Sequence, residues 1–94
     1  MINSLCSGEI NFGDLIYISP CYFGFYIGRG HGNSIQFYNI YELENLYLKN
    51  KKIRIRYIYG RRSEMRVVKY SPELFNEELK ETYNNAIKGL ELLK

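Results

Sequence analysis

The sequence predicts a single α+β domain spanning residues 1–94, an open antiparallel sheet or small barrel of four to five strands with a C-terminal α-helix packed on it. Three observations carry this. Short runs of Ile, Tyr, Phe and Val are punctuated by Gly, Pro and Asn, the grammar of small strands and tight turns. Residues 53–59 alternate with a period of two. Ser71-Pro72-Glu73 then opens a segment whose apolar residues recur at helical spacing.

The elements follow in order. Gly13 and Asp14 turn the chain into a first strand, 14–19, through Leu15, Ile16, Tyr17 and Ile18, and Pro20 closes it. A second strand, 22–28, contains Gly24, which marks a bulge or bend. Gly28-Arg29-Gly30-His31-Gly32-Asn33 is a turn by composition, and a third strand covers 34–40. Residues 41–48 read as a short helix or helical turn. Strands at 52–59 and 64–70, joined by Gly60-Arg61-Arg62-Ser63, read as a β-hairpin. In that register Tyr59 opposes Glu64, Tyr57 opposes Arg66 and Arg54 opposes Lys69, which gathers Arg54, Arg56 and Lys69 on one face. A helix covers 72–93, with Ser71 as N-cap and Pro72 at the first helical position. Its apolar stripe is Phe75, Leu79, Tyr83, Ala86, Leu90 and Leu93. Gly89 weakens it near the end.

The run Phe12-Gly13-Asp14-Leu15-Ile16-Tyr17-Ile18 resembles the opening of SH3-like barrels, in which a Gly-Asp turn leads into the first strand. The resemblance covers seven residues and implies a fold only, because that fold hosts many functions.

Composition bounds the function. The chain has 94 residues, 46% of them apolar and 24% charged, which suits one soluble globular domain. No run of apolar residues is long enough for a transmembrane helix, and no secretory signal is evident. A cytoplasmic protein without a membrane partner is the expectation, with Cys6 and Cys21 as unpaired thiols behaving as small apolar residues. Two cysteines and one histidine do not complete a four-ligand zinc site, so neither metal nor cofactor is expected. Eleven Ile, ten Tyr and nine Asn stand against one Ala and two Pro. This bias points to an AT-rich genome, such as that of a low-GC bacterium, its phage or another mobile element.

Charge is the informative signal. Between Lys49 and Lys69 lie nine basic residues and one acid, Glu64, a local balance of +8; the remainder of the chain is −5 and the whole +3. Such a dipole points to an anionic partner. The candidate partner-binding residues are Arg54, Arg56, Arg61, Arg62, Arg66 and Lys69, with Tyr57 and Tyr59 available for stacking. Tyr26 and Tyr38 share that potential, and all four also suit half-buried strand positions. The loop bearing Arg29 and His31 is a secondary candidate. It lacks the lysine and Ser/Thr of a phosphate loop, and its glycine spacing is not the dinucleotide one. No Ser or Cys nucleophile is assignable to His31, so it does not read as catalytic, and Glu42 and Glu44 read as solvated charge. The expectation is a non-enzymatic binding protein, monomeric or weakly dimeric, whose basic hairpin engages nucleic acid or an acidic protein surface. The alternatives are a phage-type inhibitor or regulator of a host enzyme or defence complex, and a protein that binds or sequesters nucleotides.

Overall fold

Three runs of β-branched and aromatic residues fold as an antiparallel meander. The computed structural model describes residues 10–31, 34–59 and 67–93. Strand β1 (Leu15–Ile18) turns through Ser19, Pro20 and Cys21 into β2 (Tyr22–Arg29), and β2 pairs in turn with β3 (Ile35–Asn39). The Tyr17 hydroxyl donates to the Pro20 carbonyl across the first turn. Without a linker the chain then enters α1 (Ile40–Lys49). Asn39 makes this junction possible: its Oδ1 accepts from the backbone N–H of Tyr41 at 2.8 Å and of Glu42 at 3.3 Å, groups a helix start would otherwise leave unpaired. Asn50, in the left-handed conformation, closes the helix. The third strand therefore ends at Asn39, and residues 41–48 lie within a regular helix.

The hairpin expected from 52–59 and 64–70 does not form. Strand β4 (Arg56–Ile58) pairs with β3, and β5 (Val67–Lys69) pairs with β1, both antiparallel, so the sheet order is β4-β3-β2-β1-β5. The two segments occupy opposite edges. Tyr57 lies opposite Gln36, Val68 opposite Tyr17 and Lys69 opposite Ile16. Electrostatics favours this arrangement. A hairpin would set Arg54 against Lys69, and like charges directly opposite are unfavourable. In the observed sheet Lys69 instead meets the Asp14 carboxylate at 3.6 Å and Arg56 meets Glu42. Residues 52–55 precede the paired part of β4, while residues 60–66, with the expected loop and Glu64, the expected partner of Tyr59, lie outside the described residues.

Alternation along the strands sends side chains to two buried faces. Leu15, Phe25 and Tyr38 share one face, where Leu15, Phe25, Ile40, Leu43, Phe75 and Ala86 form a core with the helices. An aromatic cluster fills its end: the Phe23 ring lies 4.9 Å from both Tyr70 and Phe75, edge-on to each. The other face carries Ile16, Ile18, Ile35, Phe37 and Val67, with Ile58 and Tyr26 packed against them. Ile58 and Val67 come from opposite edges yet join one cluster, so the sheet curls around this second core. Gly24 sits in regularly paired strand rather than at a bulge; the irregularity falls between Tyr26 and Gly28. A Cβ at Gly24 would lie 2.6 Å from the Phe37 ring, so glycine lets that ring cross the strand.

The C-terminal helix starts later than Ser71 suggests. The Ser71 hydroxyl accepts from the Glu73 N–H, but it caps only a 3-10 turn, Pro72–Leu74. A second cap, Asn76, accepts from the Leu79 N–H at 2.8 Å and starts α2 (Glu77–Leu92). Glu77 and Glu78 in the first turn complement the helix dipole. Phe75 is buried from the connecting segment rather than from the helix, and Leu93 is exposed. Helix α2 packs chiefly on α1 and reaches the sheet through Tyr83, whose ring lies 5.8 Å from Phe25. Burial pushes the Tyr83 hydroxyl pKa up. The helices approach closely at Gly89, where a Cβ would stand 2.2 Å from the Leu43 carbonyl oxygen. Asn85 donates to Glu44 at 2.9 Å, and the Lys88 ammonium lies 5.2 Å from the centre of the Tyr47 ring.

Candidate functional site

The first strand turn, the β3–α1 junction and edge strand β4 enclose a cleft of about 810 Å³. Volumes of roughly 300–1,000 Å³ are typical of small-molecule sites. Ile18, Phe37 and Ile58 contribute apolar lining, continuous with the second core. Around them stand Tyr22, Tyr41, Tyr57 and Tyr59, between 44% and 68% exposed. Tyr57 and Tyr59 stack on one another, ring centres 5.6 Å apart and planes 19° from parallel. Tyr57 lies in β4 and Tyr59 just beyond its end, and in extended chain positions i and i+2 project to the same side, which brings the rings into register for stacking. Tyr59 is the more exposed of the two, at 68% against 47% for Tyr57.

One ion pair belongs to the cleft lining. The Arg56 Nε donates to Glu42 Oε1 at 3.2 Å and Oε2 at 3.0 Å, and Nη2 donates to Oε2 as well. Arg56 reaches from β4 to α1, and Glu42 is half-buried. The hydrogen bond and then the charge of Glu42 hold the guanidinium pKa above its ordinary value. Glu42 is also the third residue of α1, where its carboxylate favours the helix dipole. Glu42 and Glu44 are thus partnered groups rather than solvated charge.

The basic residues divide into three sets. Arg56 and Lys69 are compensated by carboxylates and lie on opposite edges of the sheet, so the expected face of Arg54, Arg56 and Lys69 is not assembled. Lys51, Lys52 and Arg54 are exposed along the stretch leading into β4, with no carboxylate partner among the described residues. Ile53 and Ile55 turn inward between them, the alternation visible in the sequence. Arg61, Arg62 and Arg66 lie outside the described residues. Arg29 ends β2 and His31 follows it, and neither lines the cleft. Tyr26 and Tyr38 are half-buried against the two cores.

Cys21 is a free thiol on the cleft rim and is exposed, so it does not act as a small core residue; Cys6 lies outside the described residues. Among the described residues no group of three His, Cys, Asp or Glu side chains is placed to hold a metal ion, and no helix is long and apolar enough to cross a membrane.

Sequence reasoning missed Tyr22, Tyr41, Asn39 and Glu42 as neighbours of Tyr57. One signal was present: Asn39 followed three residues later by Glu42 has the spacing of a helix-capping pair. It marks the helix start, and with it the cleft wall. No protein-family model, curated protein or solved structure matches this chain.

Proposed function

We propose that the protein is a non-enzymatic module that binds single-stranded nucleic acid. The observation that carries this is the stacked, exposed Tyr57–Tyr59 pair at the end of a stretch bearing Lys51, Lys52 and Arg54. Flat exposed rings offer each base a stacking surface, worth about 1–3 kcal/mol per base. Exposed cations a few residues away, without a carboxylate partner among the described residues, attract the phosphates between bases. A concave, ring-lined cleft suits unpaired bases better than a duplex, whose bases are already stacked. The same residues serve the original expectation of an anionic partner, with the centre of the site moved from the hairpin tip to β4.

A protein partner, including the target of an inhibitor, is the second reading. It is favoured by β4 being an edge strand, with pairing to β3 alone among the described residues. An extended peptide adds to such an edge through its main chain. At the level of fold, we retain the SH3-like barrel as a proposal: a curled antiparallel sheet with its last strand returning beside the first supports it.

Fluorescence anisotropy with a labelled oligouridine, titrated at increasing salt, separates the readings. Single-strand binding should weaken with a log–log slope of about −0.7 per phosphate contacted. It should also exceed binding to a duplex of equal length. Affinity that is absent, or indifferent to salt, would reject the nucleic-acid reading.

A further inference from the structure

We propose that the cleft beside the Tyr57–Tyr59 stack is a base-recognition pocket that prefers guanine, an inference resting on the single-strand reading above. The argument comes from which hydrogen-bonding groups in the cleft remain unspent. Glu42 occupies the Nε–Nη2 edge of the Arg56 guanidinium. A guanidinium has five N–H groups in a planar fork. The edge formed by Nη1 and the second proton of Nη2 has no partner among the described residues, and it carries two parallel donors. Asn39 is spent in the same one-sided way. Its Oδ1 accepts from the helix start, leaving the two donors of Nδ2. Both residues line the cleft.

The unspent groups of Arg56 and Asn39 are thus donors, and the charge of Arg56 is already balanced by Glu42. This combination selects among ligands. A phosphate or a peptide carboxylate would satisfy the fork but would bring a second negative charge against the Glu42 carboxylate, which is unfavourable. An uncharged group with two adjacent acceptors avoids that repulsion. Guanine presents O6 and N7 in this arrangement, and the two-donor Arg fork is the commonest specific partner for them. Adenine replaces O6 with an amino donor, which would face the Arg56 donors. Cytosine presents an amino group at its major-groove edge, but unpaired it also offers adjacent O2 and N3 acceptors, so the cytidine strand is the competitor that guanine must outbind; uracil has no two adjacent acceptors. The surrounding tyrosine rings supply the flat surfaces that hold a base of either size.

The test measures affinities for short RNA oligonucleotides of alternating uridine with guanosine, adenosine or cytidine, beside oligouridine. The guanosine-containing strand should bind at least about tenfold tighter than the adenosine-containing one, the discrimination a two-donor contact confers. Replacing its guanines with 7-deazaguanine, which lacks the N7 acceptor, should remove most of that advantage. Arg56→Lys, which keeps the charge and loses the fork, should bring the guanosine-to-adenosine ratio close to one. Equal affinity for all four strands would overturn the guanine pocket and leave single-strand binding standing. Failure of every strand to bind would overturn both, and binding only to an acidic peptide would assign the fork to a carboxylate instead.

Discussion

Gly89 shows how a residue's role depends on what lies beside it. In the sequence it is a weak point in an amphipathic helix, because glycine costs about 1 kcal/mol relative to alanine in a helix interior. In the structure its missing side chain is what admits the backbone of α1: the position a Cβ would take is 2.2 Å from the Leu43 carbonyl oxygen and 2.9 Å from its carbon. Backbone atoms cannot rotate away as a side chain can, so the helices would have to separate. Gly89→Ala should therefore lower stability by about 1–3 kcal/mol net, in the range of overpacked cores, despite its better helix propensity. Thermal or urea denaturation checks the sign, and a stabilised variant would show that the helices do not meet here. Nothing in the local sequence distinguishes a glycine that weakens a helix from one that lets a neighbour approach. Glu42 is similar: a carboxylate two residues from Glu44 looks solvated until Arg56, fourteen positions away, is placed against it.

Elements were legible where local chemistry determines them. The strand character around 56–58 follows from alternating apolar residues, and Pro20 lies just beyond the end of the first strand. The partner of a strand is a different question. Alternation specifies which side chains share a face, and a turn-like Gly60–Ser63 stretch invites a hairpin, but neither identifies the neighbouring strand. The free edges of β1 and β3 supplied the competing partners. Helix starts show the same limit. Ser71-Pro72-Glu73 has every feature of a cap and yields only a 3-10 turn, because Asn76 offers a second cap next to the acidic first turn of α2. At the other helix the cap is decisive for the site, since Asn39 joins β3 to α1 and positions Glu42 against Arg56. Asn39→Ala should destabilise the domain by about 1 kcal/mol, the usual effect of losing an N-cap. Asn39→Asp, which preserves the acceptor, should retain most of that stability. Chemical denaturation of both variants checks this, and equal losses would mean that the cap is not what Asn39 contributes.

On the scale of the whole molecule, a curled five-stranded sheet with one core under the helices and another within its bend gathers four of its exposed tyrosines, Tyr22, Tyr41, Tyr57 and Tyr59, at one cleft. The α+β class was readable from the order of strand-like and helix-like segments. The two-core arrangement was not, because Ile58 and Val67 become neighbours of one cluster only once the sheet curls. The charge asymmetry was visible too, yet folding redistributes it: Arg56 and Lys69 are neutralised locally, while Lys51, Lys52 and Arg54 stay exposed on the stretch that leads into β4. The central claim is that this stack binds unpaired bases. The most direct test is the affinity of a labelled oligouridine for the wild-type protein and for Tyr57→Ala/Tyr59→Ala, with circular dichroism to establish that the variant is folded. Both rings are exposed, so the fold should survive their loss. The account predicts affinity at least about tenfold weaker, given roughly 1–3 kcal/mol for each stacked base; a folded double variant that binds the oligonucleotide as tightly as the wild type would contradict it.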